Sequence, residues 1–297
     1  MRILVAVDQN PYSAHAVRQV AGLAMNTWAD ITLLGLHPKK RTGAGTSASI
    51  SDRRKIDPAL ANVMTAYRDT FLSHFKDETS PYTQLKFEYE LLQTEPNRWQ
   101  EFNIGRSSRK DFKVSIRQGN PAKEILAEAG QDGSDLIVLG CERDPACFWE
   151  EWGNVPQKVA ASAACSVWVI KKEKAIKKIL CCLDHDRVSQ DSLEMISQMV
   201  TLHGAELEIV GLTQGDSLPK NVEQKLDAIL KYYTAQKIWP WIELVKISSL
   251  ESFISQEGRW GLLALWMGEK SILQKAFSRK TVDRLIKAGE SSVLILR

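Results

Sequence analysis

No apolar run in this sequence approaches the ~18 residues that a membrane-spanning helix requires. The opening MRILVAVD also lacks the charged, apolar and small-residue layout of a secretory leader. Neither membrane embedding nor export is expected. The five cysteines (Cys141, Cys147, Cys165, Cys181 and Cys182) show no paired C-x-x-C spacing, which argues against a disulfide framework. Cys181 and Cys182 adjoin on a predicted strand, where successive side chains point to opposite faces, so a two-thiol metal site is not expected. A cytoplasmic setting follows, with buried thiols acting as small apolar groups. Excess charge of one sign is lacking too: the net +3 is small for 297 residues, and no basic stripe is interleaved with aromatics. Nucleic acid is therefore not an expected partner. Nor is there a phosphate loop ending in Gly-Lys-Ser/Thr; TGAGTSASIS (42–51) reads as a polar surface loop.

What is present is a repeat. ILVAVD, ending at Asp8, returns as ILCCLD, ending at Asp184, and each aspartate is followed five positions later by a serine, Ser13 and Ser189. ITLLGL answers LEIVGL, DLIVLG ending at Gly140 answers LLALWMG ending at Gly268, and SVWVI (166–170) answers SVLIL (292–296). The matches keep their order, the signature of a duplicated unit. Asp8 to Gly140 spans 132 positions and Asp184 to Gly268 spans 84, so the first half carries 48 more residues, all before Gly140. The apolar runs alternate with helical patterns, which predicts right-handed β-α-β crossovers and a parallel sheet in each half. The lysine-rich KKEKAIKK (171–178) is the junction, giving domains of 1–172 and 177–297 with an insertion around 39–112.

Several segments carry their own signals. Ala14, Val17, Ala21 and Ala24 share one face of a helix over 13–25, on which His15 reads as a surface residue; Leu60, Met64, Tyr67, Phe71 and Phe75 stripe a second helix. Leu85, Phe87, Tyr89 and Leu91 alternate as in a half-exposed strand, whereas Thr94 to Lys113 reads as a polar surface excursion. Trp239 and Trp241, flanking Pro240, read as packing anchors at a strand entrance.

The organising stretch is Asp135 to Ile170: a buried strand, a loop from Gly140 to Gly153, a helix and a closing strand. Asn154 is placed to cap that helix through its side chain, and Pro156 is tolerated in a first turn. Open α/β sheets bind ligands at the carboxyl ends of their strands, and a helix N-terminus offers unpaired N–H donors to an anion. The loop is the default candidate site.

The duplicated series resembles the universal stress protein family, here as two tandem domains: VAVD-x4-S, QGNPAKEI, DLIVLG with its glycine-ended loop, and the terminal VWVI match the family's order. The resemblance implies two five-stranded parallel sheets of order 3-2-1-4-5, of the adenine nucleotide alpha-hydrolase type. It also implies that the last strands, around Val167 and Val293, pair across a pseudo-two-fold, so that one chain imitates the family dimer. Many members bind ATP through Gly-x2-Gly-x9-Gly-Ser/Thr, which falls here on Gly140, Arg143, Gly153 and Asn154, with Asp8 near the ribose and Leu36 near adenine. The second-domain counterparts are Asp184, Gly268, Ser271 and Thr281.

The chemistry of these positions has changed. Arg143 stands where glycine would admit a positive φ and close backbone approach, and Asn154 lacks the hydroxyl of serine or threonine. From Cys141 to Trp152 the loop carries Glu142, Asp144, Glu150 and Glu151 against Arg143, a balance of −3 that opposes a triphosphate. Phe148, Trp149 and Trp152 add bulk able to fill the site or form a partner patch. In the second domain Lys270, Lys275, Arg279 and Lys280 against Glu269 give +3 on a less glycine-rich backbone. An aspartate at a strand end equally serves to organise its own turn. The expectation is a non-catalytic stress-response or regulatory protein with degenerate nucleotide loops, acting on an unidentified protein partner or small ligand. No cofactor or metal is expected, and ATP remains an optional ligand. The competing reading is an ATP or ADP sensor with slow hydrolysis. A pyrophosphatase-like enzyme would need a Ser-Gly-Gly-type loop after the first strand, which DQNPYS does not supply. Further homodimerisation of the internal pseudo-dimer is left open.

Overall fold

The computed structural model describes residues 1–38, 56–75, 80–82, 88–104, 111–141, 149, 153–171, 175–183, 188–213, 220–257, 261–267, 279–288 and 291–297. The chain divides into two compact units, Met1–Ala163 and Ala164–Arg297.

The first unit runs β1 (Arg2–Val7), α1 (Pro11–Thr27), β2 (Asp30–Pro38), α2 (Pro58–Leu72), β3 (Glu88–Glu95), β4 (Arg98–Ile104), β5 (Phe112–Gly119), α3 (Pro121–Asp132), β6 (Leu136–Gly140) and α4 (Val155–Ser162). Its strands lie in the order β6-β1-β2-β5-β4-β3. The first four are parallel, with Val5 opposite both Leu33 and Val138. β1 and β6 are buried apolar runs, as strands covered on both faces require. The helices begin and end where their sequences direct. Asp57 accepts from the Ala59 N–H at 2.9 Å, Asn120 accepts from Lys123 at 3.2 Å, and Gly133 closes α3 at φ 60°. The expected α2 stripe is the buried one, and Phe75 is buried beyond it. His15 is buried on α1, contrary to its surface reading, because that helix is covered more broadly than one stripe.

The polar stretch 94–113 is not merely a surface excursion. It contains β4 and the start of β5, and β4 lies antiparallel between β3 and β5. Its charges are paired with residues distant in sequence: Arg68 Nη1 meets Glu101 Oε1 at 2.5 Å, and Arg98 Nη2 meets Glu128 at 3.2 Å. Trp99, on β4 of the hairpin, is buried. Within the expected insertion, α2 has a counterpart in the second unit; the hairpin has none there among the described residues.

The second unit runs β7 (Ser166–Ile170), β8 (Lys178–Leu183), α5 (Gln190–His203), β9 (Glu206–Thr213), α6 (Lys220–Ala235), β10 (Trp241–Lys246), a 3-10 turn (Ile247–Ser249), α7 (Leu250–Glu257), β11 (Leu262–Trp266), α8 (Arg279–Ala288) and β12 (Ser292–Leu296). Its order is β10-β9-β8-β11-β12-β7. The first five are parallel, and β7 runs antiparallel to β12 with Leu294 opposite Trp168. The final strands of the two sequence repeats therefore do pair. Ser189 caps α5 by accepting from the Ser192 N–H at 3.1 Å, and Gly204 ends it at φ 56°. By its contacts β7 groups with the second unit, so the first unit taken by itself holds four parallel strands, in the order 3-2-1-4, and a hairpin.

Candidate functional site

β1 and β6 are adjacent and parallel, and the chain leaves β1 toward β2 and β5 on one side and returns from β5 through α3 to β6 on the other. The carboxyl ends of this pair form the switch point of the sheet, the place where open α/β folds bind ligands. Asp8 follows β1 and Gly140 ends β6, so the sequence-predicted pair is brought to one place.

Asp8 is 2% exposed and its carboxylate is fully engaged. Oδ1 accepts from the Asn10 N–H at 2.9 Å and from Ser13 Oγ at 2.7 Å. Oδ2 accepts from Asn10 Nδ2 at 2.9 Å and from the Tyr12 hydroxyl. A carboxylate has about four acceptor positions, and four donors of its own turn fill them. Ser13 also accepts from the Asp8 N–H at 3.0 Å. From α2, Tyr67 donates to the carbonyls of Asp8 (2.9 Å) and Asn10 (3.1 Å). Burial, and then the charge of Asp8, push the Tyr67 phenol up to about 12; the Ser13 hydrogen bond opposes them.

Gly140 meets the same turn from the other side. A Cβ there would strike the Tyr12 carbonyl oxygen, so the end of β6 and the first turn of α1 touch backbone to backbone. Trp149 is completely buried and its indole Nε1 donates to the Gly140 carbonyl at 2.8 Å. One continuous set of contacts therefore runs from Asp8 through Tyr12 and Gly140 to Trp149.

At the far end of the loop, Gly153 has φ 82° and Asn154 has φ 58°, two consecutive left-handed residues leading into α4. Asn154 stands at the N-cap position, but its side chain makes no capping bond. Its left-handed backbone replaces the extended conformation from which capping side chains reach the first turn, which corrects the expected role. The first turn of α4 still presents N–H groups without intrahelical acceptors. Leu36 is buried near the end of β2, opposite Arg117 on β5.

Arg143 lies outside the described residues, as do Glu142, Asp144, Phe148, Glu150, Glu151 and Trp152 of the loop and TGAGTSASIS (42–51). Of the second-domain candidates, Asp184, Gly268 and Ser271 also fall outside them, and Thr281 is placed only as part of the α8 backbone. Sequence reasoning missed Asn10, Tyr12 and Tyr67. The first two lie in DQNPYS beside Asp8, where their donors were legible; Tyr67 is 59 positions away and gave no signal beyond its helical stripe. Among the described residues no group of three or more His, Cys, Asp or Glu is placed to hold a metal ion, and no helix is long and apolar enough to cross a membrane.

These features define an α/β protein with an open, mostly parallel sheet and a glycine-ended loop at its switch point. A family model described as the universal stress protein family matches residues 1–171, and the chain belongs to that family. A comparison with curated proteins gives no match. Among solved structures, a universal stress protein from Archaeoglobus fulgidus is similar at a TM-score of 0.57 and 12% identity, over 100% of this chain and 96% of that one. A putative universal stress protein from Pseudomonas aeruginosa is similar at 0.56 and 16% identity, over 99% of this chain and 92% of that one. At these identities the likeness concerns the fold.

Proposed function

We propose that this chain is a non-catalytic stress-response or regulatory protein that acts by binding a protein partner or small ligand, and that its first nucleotide position is taken up by its own side chains. The reading treats residues 1–172 and 177–297 as two copies of one domain, the second shorter and more divergent, working in the cytoplasm. The observation that carries it is the Asp8 carboxylate, whose four acceptor positions are filled by Asn10, Ser13 and Tyr12. A ribose hydroxyl would have to displace a donor already in place, at a cost of about 1–3 kcal/mol for each buried group left unsatisfied. Trp149 supports the same reading, because an indole bonded to the Gly140 carbonyl occupies space beside the first glycine of the loop.

The test is the nucleotide content of the full-length protein after denaturation, together with calorimetric titration by ATP and ADP. The expected result is no released nucleotide and no binding in the micromolar range. Stoichiometric ATP, or micromolar affinity, would replace this reading with the nucleotide sensor, in which Gly140, Arg143, Gly153 and Asn154 hold the phosphates.

A further inference from the structure

The two units treat one equivalent strand differently. In the first, β5 lies beside β2 at the third position of the parallel order, and its outer side is covered by antiparallel β4: Trp99 is opposite Ile116, and Gln100 is opposite Ser115. In the second, β10 holds that position beside β9, and among the described residues nothing pairs with its outer side. Half of the N–H and C=O groups of a parallel strand point to each side, so β10 presents an open row of donors and acceptors.

Large apolar side chains along this edge are uncovered. Trp239 is 72% exposed, Trp241 74% and Leu244 50%, which overturns the reading of the tryptophans as packing anchors. β10 itself, WIELVK, contains no proline, and its only charged residues are Glu243 and Lys246, so proline does not blunt this edge. Two tryptophans and a leucine at these exposures offer on the order of 400 Å² per copy. That is about half of the ~800 Å² each partner contributes to a stable interface, before any strand backbone is counted.

We propose that β10 pairs antiparallel with β10 of a second copy of this chain, about a two-fold axis perpendicular to the sheet. At the equivalent position of the first unit, the edge of β5 holds an antiparallel strand bringing a tryptophan, and an antiparallel β10 bringing Trp241 offers the same elements. Side chains opposite one another in such a pair lie on the same face, so the axis passes through a residue position. The longest overlaps within Trp241–Lys246 centre on Glu243 or on Leu244. Centring on Glu243 sets that carboxylate against its own copy, which is unfavourable. Centring on Leu244 sets Leu244 against Leu244, Ile242 against Lys246 and Trp241 against Ile247 of the second copy. A two-fold pairing consumes the open edge of both copies and closes. Pairing of β10 with β3, on whose outer side no described strand lies, would be heterologous and would propagate.

Sedimentation equilibrium of the full chain across micromolar concentrations tests this. The expected mass is twice 33.4 kDa, falling to the monomer mass in the double variant Trp241→Lys, Leu244→Lys with its circular dichroism unchanged. As a check independent of that variant's folding, Leu244→Cys should cross-link between copies under mild oxidation, whereas Lys237→Cys and the parent chain should not. A parent chain that stays monomeric to about 50 μM overturns the proposal, as does a dimer that survives in a folded double variant. Mass that grows without limit overturns the two-fold, and cross-linking equal at positions 237 and 244 overturns the register.

Discussion

At the switch point of the first unit, Asp8 is held by its own turn. A buried carboxylate must be paired or neutralised, and this one is satisfied by donors within five residues of itself. Tyr67 ties that turn to α2 through the Asp8 and Asn10 carbonyls. Its phenol is raised by burial and by Asp8 from an ordinary value of 10 to about 12. The unfolded chain loses this proton near ~10, while the folded chain keeps it until about 12. Between those values the folded state binds more protons, so stability is fully present below ~10 and falls as pH rises toward about 12. Tyr67→Phe should lower stability at neutral pH by about 1–2 kcal/mol, since one buried and one part-buried carbonyl lose a donor. It should also flatten the alkaline fall, leaving a residual slope from Tyr82 and Tyr233, both raised by burial. Urea midpoints from pH 7 to 12 measure both effects, and an unchanged alkaline slope would remove Tyr67 from the account.

The β3–β4 hairpin is tied to the first unit by buried charges as well as by its ladder to β5 and by Trp99. Glu128 on α3 is completely buried and meets Arg98 of β4 at 3.2 Å, Arg117 of β5 at closer range, and Lys113 at 3.8 Å; Gln131 takes a further bond from Arg117. On the other side Arg68 of α2 joins Glu101 and lies 3.7 Å from the centre of the Tyr89 ring. Removing one member of a buried ion cluster strands the rest, so Glu128→Ala should cost about 3–5 kcal/mol. A denaturant midpoint at neutral pH checks this; a loss below about 1 kcal/mol would show that the arginines find other partners. The cluster also explains why the hairpin was read as a polar excursion. Periodicity reports apolar faces, and it found α2 and the parallel strands because Leu60, Met64 and Phe71, or Leu136 to Leu139, are buried against apolar neighbours. β4 is buried through Trp99 and through charges whose partners lie 30 to 33 positions away, and no local pattern carries that information. The candidate site divides the same way. Asp8 and Gly140 were legible from spacing, whereas the left-handed backbone of Asn154 and the bond from Trp149 to Gly140 depend on loop geometry.

At the scale of the molecule, the repeat read from sequence and the grouping of contacts disagree about one strand, and the disagreement has consequences. SVWVI belongs to the first repeat in sequence, yet β7 lies antiparallel on β12, with Lys171 N–H donating to Ser292 Oγ at 3.1 Å and Arg297 N–H to Ser166 Oγ at 3.3 Å. The pairing itself was expected from the family resemblance, and it covers an edge of each terminal strand. The grouping was not, because contacts beyond the strand determine it. Trp168 is completely buried and sits edge-to-face with His203 of α5, ring centroids 6.0 Å apart. Trp168→Ala should cost about 3–5 kcal/mol by leaving a cavity that its neighbours only partly fill. The loss should be local to the second unit, because proteins open in contiguous cooperative groups. Hydrogen exchange of the intact chain should show β12 and the carboxyl end of α5 losing protection well before α1 and β2. Equal loss in α1 and α5 would instead assign β7 to both units as one cooperative body.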